Sequence, residues 1–250
     1  MRCPTLLTPT EMALRVSVLQ MCCVLSSMSY VLYLIKHILD LPITIFLNLY
    51  LFPLATAVRL PILFHWRTRI GDLHRGNIEI AGDVRPFMIK YGVEGVAGVA
   101  SERRSTLHLS RNARVIFRGK ANLARGVSIR CEGGTIDIGK NIYANCNLSL
   151  ICISSISIGE GTLLGWDVSI RDCDGHCVYV DDVENPSEKP VEIGSNVWIG
   201  AHVDILKGVQ IKNGSVVAYR SCVLKPFEEE HILIGGYPAR VLKHRVSWKA

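Results

Sequence analysis

From residue 193 onward an apolar side chain returns at every sixth position: Ile193, Ile199, Ile205, Ile211, Val217 and Val223. A helix repeats every 3.6 residues and a half-buried strand every 2. A beat of six belongs to neither and marks a chain assembled from repeating units. Four places after each of the first five members stands a branched or small residue: Val197, Val203, Val209, Ser215 or Ser221. Read backward, the same spacing gives Ile158, Leu164 and Ile170, then Ile138, Ala144 and Leu150, then Phe117, Leu123 and Ile129. Glycine follows the apolar position at 139, 159, 165, 194 and 200.

The interruptions are as informative as the beat. The apolar positions fall into triplets, 117/123/129, 138/144/150, 158/164/170, 193/199/205 and 211/217/223, separated by steps of nine, eight, twenty-three and six. Every extra residue therefore enters after a third unit. A three-sided parallel β-solenoid tolerates that pattern, because one turn uses three six-residue faces and insertions bulge from a single corner. The expectation is an all-β chain with about five coils over 117–228. The stacked apolar positions would fill the interior, and glycine or small residues would let the chain bend at corners. Residues 67–116 are expected as leading strands and a first irregular coil, and 229–250 as a C-terminal tail.

The remaining segment, 1–66, is apolar and expected to be mainly helical. Residues 16–35 carry no charge, the length of a membrane span, but hold Gln20 and four serines. Residues 41–58 are uncharged too, with Pro42 and Pro53 dividing them. Arg15, Lys36, His37, Arg59 and Arg67 punctuate the stretch, so it can dock on the main domain or lie on a membrane surface with its basic residues at headgroups. The net charge of +6 is too small to imply nucleic acid, although Arg103 to Arg130 holds eight Lys/Arg and no acid. Nine cysteines without a C-x-x-C pair fit free thiols in a reducing compartment better than a disulfide scaffold.

Chemistry is expected at the largest insertion, the loop about 174–190, which begins Asp172-Cys173-Asp174-Gly175-His176. Loops on a rigid scaffold are where sites are built. Imidazole is the side chain suited to take and return a proton near neutrality. A lone loop histidine is otherwise surface decoration. Cys173, His176 and Cys177 fit no standard zinc spacing, so no metal is expected.

The segments IGKNIYANCNL, DCDGHCVYV, VEIGSNVWIGAHVDILKGVQI and GGYPARVLK resemble the hexapeptide-repeat acyltransferases, and among them the sugar and polysaccharide O-acetyltransferases of the galactoside and maltose type. The resemblance is strong over 138–243 and weaker over 41–137. It implies a left-handed helix, a homotrimer with sites between subunits, and acetyl-CoA as acyl donor. It also implies His176 as general base, the Ala201 backbone N–H as oxyanion donor, and Asn145 and Asp174 on the acceptor side. Trp198, Ala201, Tyr219, Leu224, Lys225 and Arg240 match cofactor-side positions, the two cations near the nucleotide phosphates. Asn145 can equally cap a corner, Trp198 can equally fill packing space, and Asp174 can be a solvated loop charge. The chain departs from the pattern at Ala218-Tyr219-Arg220-Ser221 and Gly236-Tyr237-Pro238, where bulky residues would narrow the pantetheine channel.

The implied function is acyl-CoA-dependent O-acetylation of a sugar or polysaccharide precursor at the cytoplasmic face. Its rivals are a non-catalytic β-helical scaffold at a membrane and an N-acetyltransferase acting on an amino sugar. A γ-class carbonic anhydrase would need three zinc histidines, and His176 and His202 do not give its spacing.

Overall fold

The structure, a computed structural model, describes residues 37–93, 95 and 101–249. The chain divides into two units, Met1–Leu39 and Asp40–Ala250, and the second carries the fold described below. The apolar run 16–35 lies outside the described residues. Among those that are described, no helix is long and apolar enough to cross a membrane.

Three parallel sheets explain the six-residue beat. In the first, strands Ile62–Phe64, Ile89–Tyr91, Ala121–Leu123, Ile142–Ala144, Leu163–Leu164, Trp198–Ile199, Val216–Val217 and Leu233–Gly236 pair in that order. The second runs Arg69–Ile70, Thr106–Leu109, Ser128–Cys131, Ser149–Cys152, Ser169–Arg171, Asp204–Ile205 and Cys222–Val223. The third runs Ile78–Ile80, Arg114–Phe117, Thr135–Ile138, Ser155–Ile158, Val191–Ile193 and Gln210–Ile211. The chain visits the sheets in rotation, so each circuit adds one rung to every face. Backbone N–H and C=O groups are thereby satisfied between rungs, which lets strands as short as two residues persist.

Register turns the triplets into columns. Leu123, Ala144, Leu164, Ile199 and Val217 stand in one line of the first sheet. Ile129, Leu150, Ile170, Ile205 and Val223 form the second line. Phe117, Ile138, Ile158, Ile193 and Ile211 form the third. All are buried, as are Val197, Val203, Val209, Ser215 and Ser221.

The five coils expected over 117–228 are present, and two further circuits precede them, seven in all, where the sequence suggested leading strands and one irregular coil. The columns continue back through Tyr91 to Phe64, through Leu107 to Ile70, and through Phe117 to Ile80. Their steps explain why they escape the count: six from 64 to 70, then ten to 80, eleven to 91, sixteen to 107 and ten to 117. Insertions here follow nearly every strand, so no phase survives in the sequence. The last circuit closes on a bridge between Ile211 and Phe227. Segment 1–66 is accordingly not helical to its end, since Ile62–Phe64 is already the first rung.

The corners also differ from expectation. Gly159 and Gly165 are not where the backbone takes a positive φ. They are needed because stacked rungs touch there: a Cβ on Gly159 would lie 2.5 Å from the Gly194 carbonyl carbon, and one on Gly165 would lie 2.6 Å from the Ala201 nitrogen. The left-handed conformation falls two residues later, on Asn141, Gly161 and Asn196 at one corner and on Asn147, Asp167, His202 and Arg220 at another. Asn and Asp tolerate that region. His202 and Arg220, at φ 55°, are uncommon occupants.

A helix, α1 (Leu41–Leu51), covers the first rung. Pro42 sits where a helix start loses no hydrogen bond, and Pro53 prevents continuation. Thr44, Leu47, Asn48 and Leu51 make one buried stripe at helical spacing. The two polar members are there for the sheet edge. Asn48 Nδ2 donates to Ile62 O at 2.8 Å while Ile62 N donates to Asn48 Oδ1 at 3.2 Å. Thr44 Oγ1 makes the same reciprocal pair with the Phe64 backbone, at 3.2 and 3.0 Å. The outer face of the helix leaves Phe46, with Leu54 and Val58 beyond it, exposed.

The basic stretch seen in the sequence does not form one uncompensated surface. Arg114 pairs with Glu79, Arg118 with Asp137, and Arg130 with Glu132, each acid coming from a neighbouring rung or the next corner. Arg103 lies 3.7 Å from Asp167.

Candidate active site

Along the first sheet, rungs four to seven frame a cavity of about 480 Å3 with apolar walls. Leu163, Val216 and Leu233 line it from the strands, and Trp166, Trp198 and Tyr219 wall it from the outside. Asn145 and Ala201 lie within the same wall. The sequence-derived positions Asn145, Trp198, Ala201 and Tyr219 are thus brought together by register: Asn145 lies two rungs before Trp198 and Ala201, which share a rung, and Tyr219 one rung after them.

Asn145 is buried, and its Oδ1 accepts from the Cys146 N–H at 2.8 Å. That bond caps the corner and fixes the amide, leaving its NH2 with no hydrogen bond among the described residues. The Ala201 N–H is similarly free. At this corner the first residue past each strand still pairs with the following rung: Gly165 N donates to Ile199 O, Gly200 N to Val217 O and Ala218 N to Ile234 O. The next amides, of Trp166, Ala201 and Tyr219, make no hydrogen bond among the described residues. They form a column of available donors beside the cavity, and the absent side chain at Gly165 keeps the middle one open. Such fixed N–H groups are suited to carbonyl oxygens and to developing oxyanions.

Tyr219 does not collapse across the cavity. Its ring meets His202 edge-on at 5.4 Å, and the Arg220 guanidinium sits 5.4 Å from its centroid on a face. His202 Nε2 accepts from Trp166 Nε1 at 3.2 Å, and its Nδ1 is 3.9 Å from Asp167 Oδ2. This Trp166–His202–Tyr219 group carries no signal in the six-residue pattern, because its members come from three rungs and meet only at a corner. Trp198 is 42% exposed and packs 6.2 Å from Trp248, whose indole N–H donates to Asn196 O at 2.8 Å. The C-terminal tail therefore folds back onto the cavity's outer wall.

The loop with His176 stands elsewhere. It leaves the second sheet at Arg171 and returns to the third at Val191, a full sheet's width from the corner that bears Trp166 and Ala201. It is a two-stranded ribbon, Val178–Val180 against Val183–Asn185, turned by Asp181 and Asp182 at φ 50° and 61°. Those angles are those of the tight turn that matches strand twist. Its base is pinned by a Cys173–Glu188 bridge and by Asp174 N donating to Ser187 O at 2.9 Å. Lys207 closes it further, in an ion pair with Asp174 and a 2.6 Å bond to Pro186 O. Beneath it Asp172, fully buried, accepts from the Ile153 N–H at 2.9 Å and the Ser154 N–H at 2.8 Å.

His176 is exposed and makes no hydrogen bond among the described residues. Cys177 beside it is exposed too, and a hydrogen bond to the Glu184 carboxylate raises its thiol above the ordinary value. No residue of this loop lines the cavity of the first sheet. Leu224, Lys225 and Arg240 are exposed near the last rungs and do not line it either. The two cations have no ion pair among the described residues.

No family model matches the chain. Over 113 residues it is 36% identical to the galactoside O-acetyltransferase of Escherichia coli, covering 44% of this chain and 55% of that protein. The putative lipopolysaccharide biosynthesis O-acetyl transferase WbbJ of the same organism is 29% identical over 178 residues, 62% of this chain and 90% of its own. The chain thus spans about half the length of the first relative and most of the second. Among solved structures, the polySia-specific acetyltransferase NeuO superposes with a TM-score of 0.52 at 23% identity, over 74% of this chain and 89% of that one. That likeness is one of fold, the left-handed parallel β-helix.

Proposed function

We propose, from the premise that this chain belongs to the hexapeptide-repeat acetyltransferase family, that it moves an acetyl group from acetyl-CoA to a hydroxyl of a sugar or polysaccharide precursor. The observation that carries this reading is the unpaired Ala201 N–H on the wall of an apolar cavity, two rungs from the buried amide of Asn145. An acyl-pantetheine arm needs an apolar trough with amide donors along it, and Trp166, Ala201 and Tyr219 supply the donors. Lys225 and Arg240 are uncommitted cations within the same C-terminal rungs, suited to nucleotide phosphates.

His176 accepts the proton of the acceptor hydroxyl as its oxygen adds to the thioester carbonyl. The tetrahedral oxyanion is held by the Ala201 N–H. Collapse expels the CoA thiolate, which takes the proton back from the imidazolium. Positioning of the two substrates in one groove contributes to the rate along with the base.

One chain does not bring this machinery together, since the His176 ribbon and the Ala201 cavity are on different sides of the prism. The reading therefore includes a homotrimer in which the ribbon of one protomer reaches the cavity of another. The ribbon's own surface favours this: Val180 and Val183 are cross-strand partners, 59% and 69% exposed, an apolar pair left open to solvent. Replacing both with aspartate should leave the thermal stability of the helix unchanged while sedimentation shifts from trimer to monomer and acetyl transfer falls at least a hundredfold. A doubly substituted protein that stays trimeric and active refutes the shared site.

The direct assay is incubation of the full chain with radiolabelled acetyl-CoA and a panel of nucleotide- and lipid-linked sugars. An alkali-labile ester on a sugar product is expected. An alkali-stable amide would transfer the reading to an amino acceptor, and no turnover with any sugar would favour a scaffold.

A further inference from the structure

A second cavity, of about 320 Å3, opens on the second sheet at the foot of the ribbon. Its floor is apolar, made by Ile151 and Ile153, and two guanidiniums bracket it. Arg130 and Arg171 are the cross-strand neighbours of Ile151 on either side, which sets their backbones about 9–10 Å apart. Asp174 and Gly175 close the far wall, and His176 is the next residue along the chain.

The charges around this cavity balance in number, but not all of them are matched as hydrogen-bonded pairs. Arg130 donates through Nε to Glu132 at 2.6 Å, and Asp174 is paired with Lys207. The buried carboxylate of Asp172 is occupied by the Ile153 and Ser154 amides. Arg171 is left over. Among the described residues it has no ion pair, and its buried Nε has no hydrogen-bond partner. A buried donor without an acceptor is costly, and a guanidinium most of all, so a retained one points to an acceptor that arrives with a ligand. The planar fork of arginine matches a carboxylate or phosphate oxygen pair, while an isoleucine floor suits the C–H face of a pyranose ring.

We propose that this cavity selects an acidic sugar as acceptor, its carboxylate or phosphate taken by Arg171 while the ring lies over Ile151. The inference rests on the acetyl-transfer reading only for the word acceptor; the binding itself does not need it. The experiment is calorimetric or NMR titration of the full chain, without acetyl-CoA, with glucuronic acid, glucose 6-phosphate, glucose and inorganic phosphate. The two acid sugars differ in the acid they carry, so the tighter one identifies it. At least one should bind tenfold or more tightly than glucose, and Arg171→Gln should reduce it to the level of glucose. Arg171→Lys, keeping charge without the fork, should recover part of the loss. Equal binding of acid and neutral sugars, an unaffected Arg171→Gln with a native melting curve, or inorganic phosphate binding as well as the acid sugars would each overturn the proposal. Acetyl-CoA turnover by the unaltered chain separates the two readings. Acid-sugar binding without turnover leaves the Arg171 site standing and removes the transferase. Turnover without acid preference removes the Arg171 site alone.

Discussion

Substituting His176 by alanine is expected to cut the rate of acetyl transfer by about 10²- to 10⁴-fold, the span typical of a positioned general base, with KM for acetyl-CoA nearly unchanged. The imidazole is exposed and makes no hydrogen bond among the described residues, so the substitution removes little packing. The melting temperature and the oligomeric state should therefore equal those of the unaltered protein. That pairing makes the experiment decisive. Loss of turnover with an intact fold is what a base predicts, whereas retained turnover removes His176 from the reaction and leaves the Ala201 cavity needing another proton acceptor. A loss of turnover accompanied by dissociation would instead assign the ribbon a purely structural role.

The largest effect on stability is expected far from that chemistry, at the start of the helix. Asn48→Leu keeps the branched shape of a fully buried side chain but strands the N–H and C=O of Ile62 at an open sheet edge. Each unpaired group costs about 1–3 kcal/mol, so a loss of about 2–6 kcal/mol follows for the two. At roughly 2–4 °C per kcal/mol in a domain of this size, the melting point should fall by about 4–24 °C. Adding Thr44→Val, which strands Phe64 in the same way, should destabilise further. Because a solenoid is held rung by rung, hydrogen exchange should accelerate first at Phe64 and Tyr91 and last in the rungs after Leu164. Phe46→Ser, on the outward face of the same helix, is the control and should change stability by less than about 0.5 kcal/mol. Asn48→Leu melting with the unaltered protein would show that the edge is satisfied some other way.

These two positions also mark how differently parts of the molecule can be read from residues. His176 was visible because it sits in the one long break of a regular pattern. Asn48 and Thr44 were hidden inside an uncharged run whose apolar character left docking and a membrane surface both open, when their role is to imitate a neighbouring strand. Arg171 was equally hidden, since the outward slot of a rung accepts any polar residue and only the neighbouring charges reveal that this one is unmatched.

The three-sided architecture was written in the sequence from Phe117 onward, because a solenoid places each apolar residue directly above one six-residue multiple away and excludes extra residues from two of its three corners. Before Phe117 the same interior columns exist, but insertions at every corner remove the phase, and only backbone pairing identifies Phe64, Ile70, Ile80, Tyr91 and Leu107 as their members. Of the residues that close the Ala201 cavity, Asn145, Trp198 and Tyr219 were individually recognisable and Trp166 was not, and the meeting of all four depended on register across rungs. So did the unpaired state of their amides and of Arg171. Whether a donor has a partner is a property of neighbours brought from distant parts of the chain, and local sequence does not encode it.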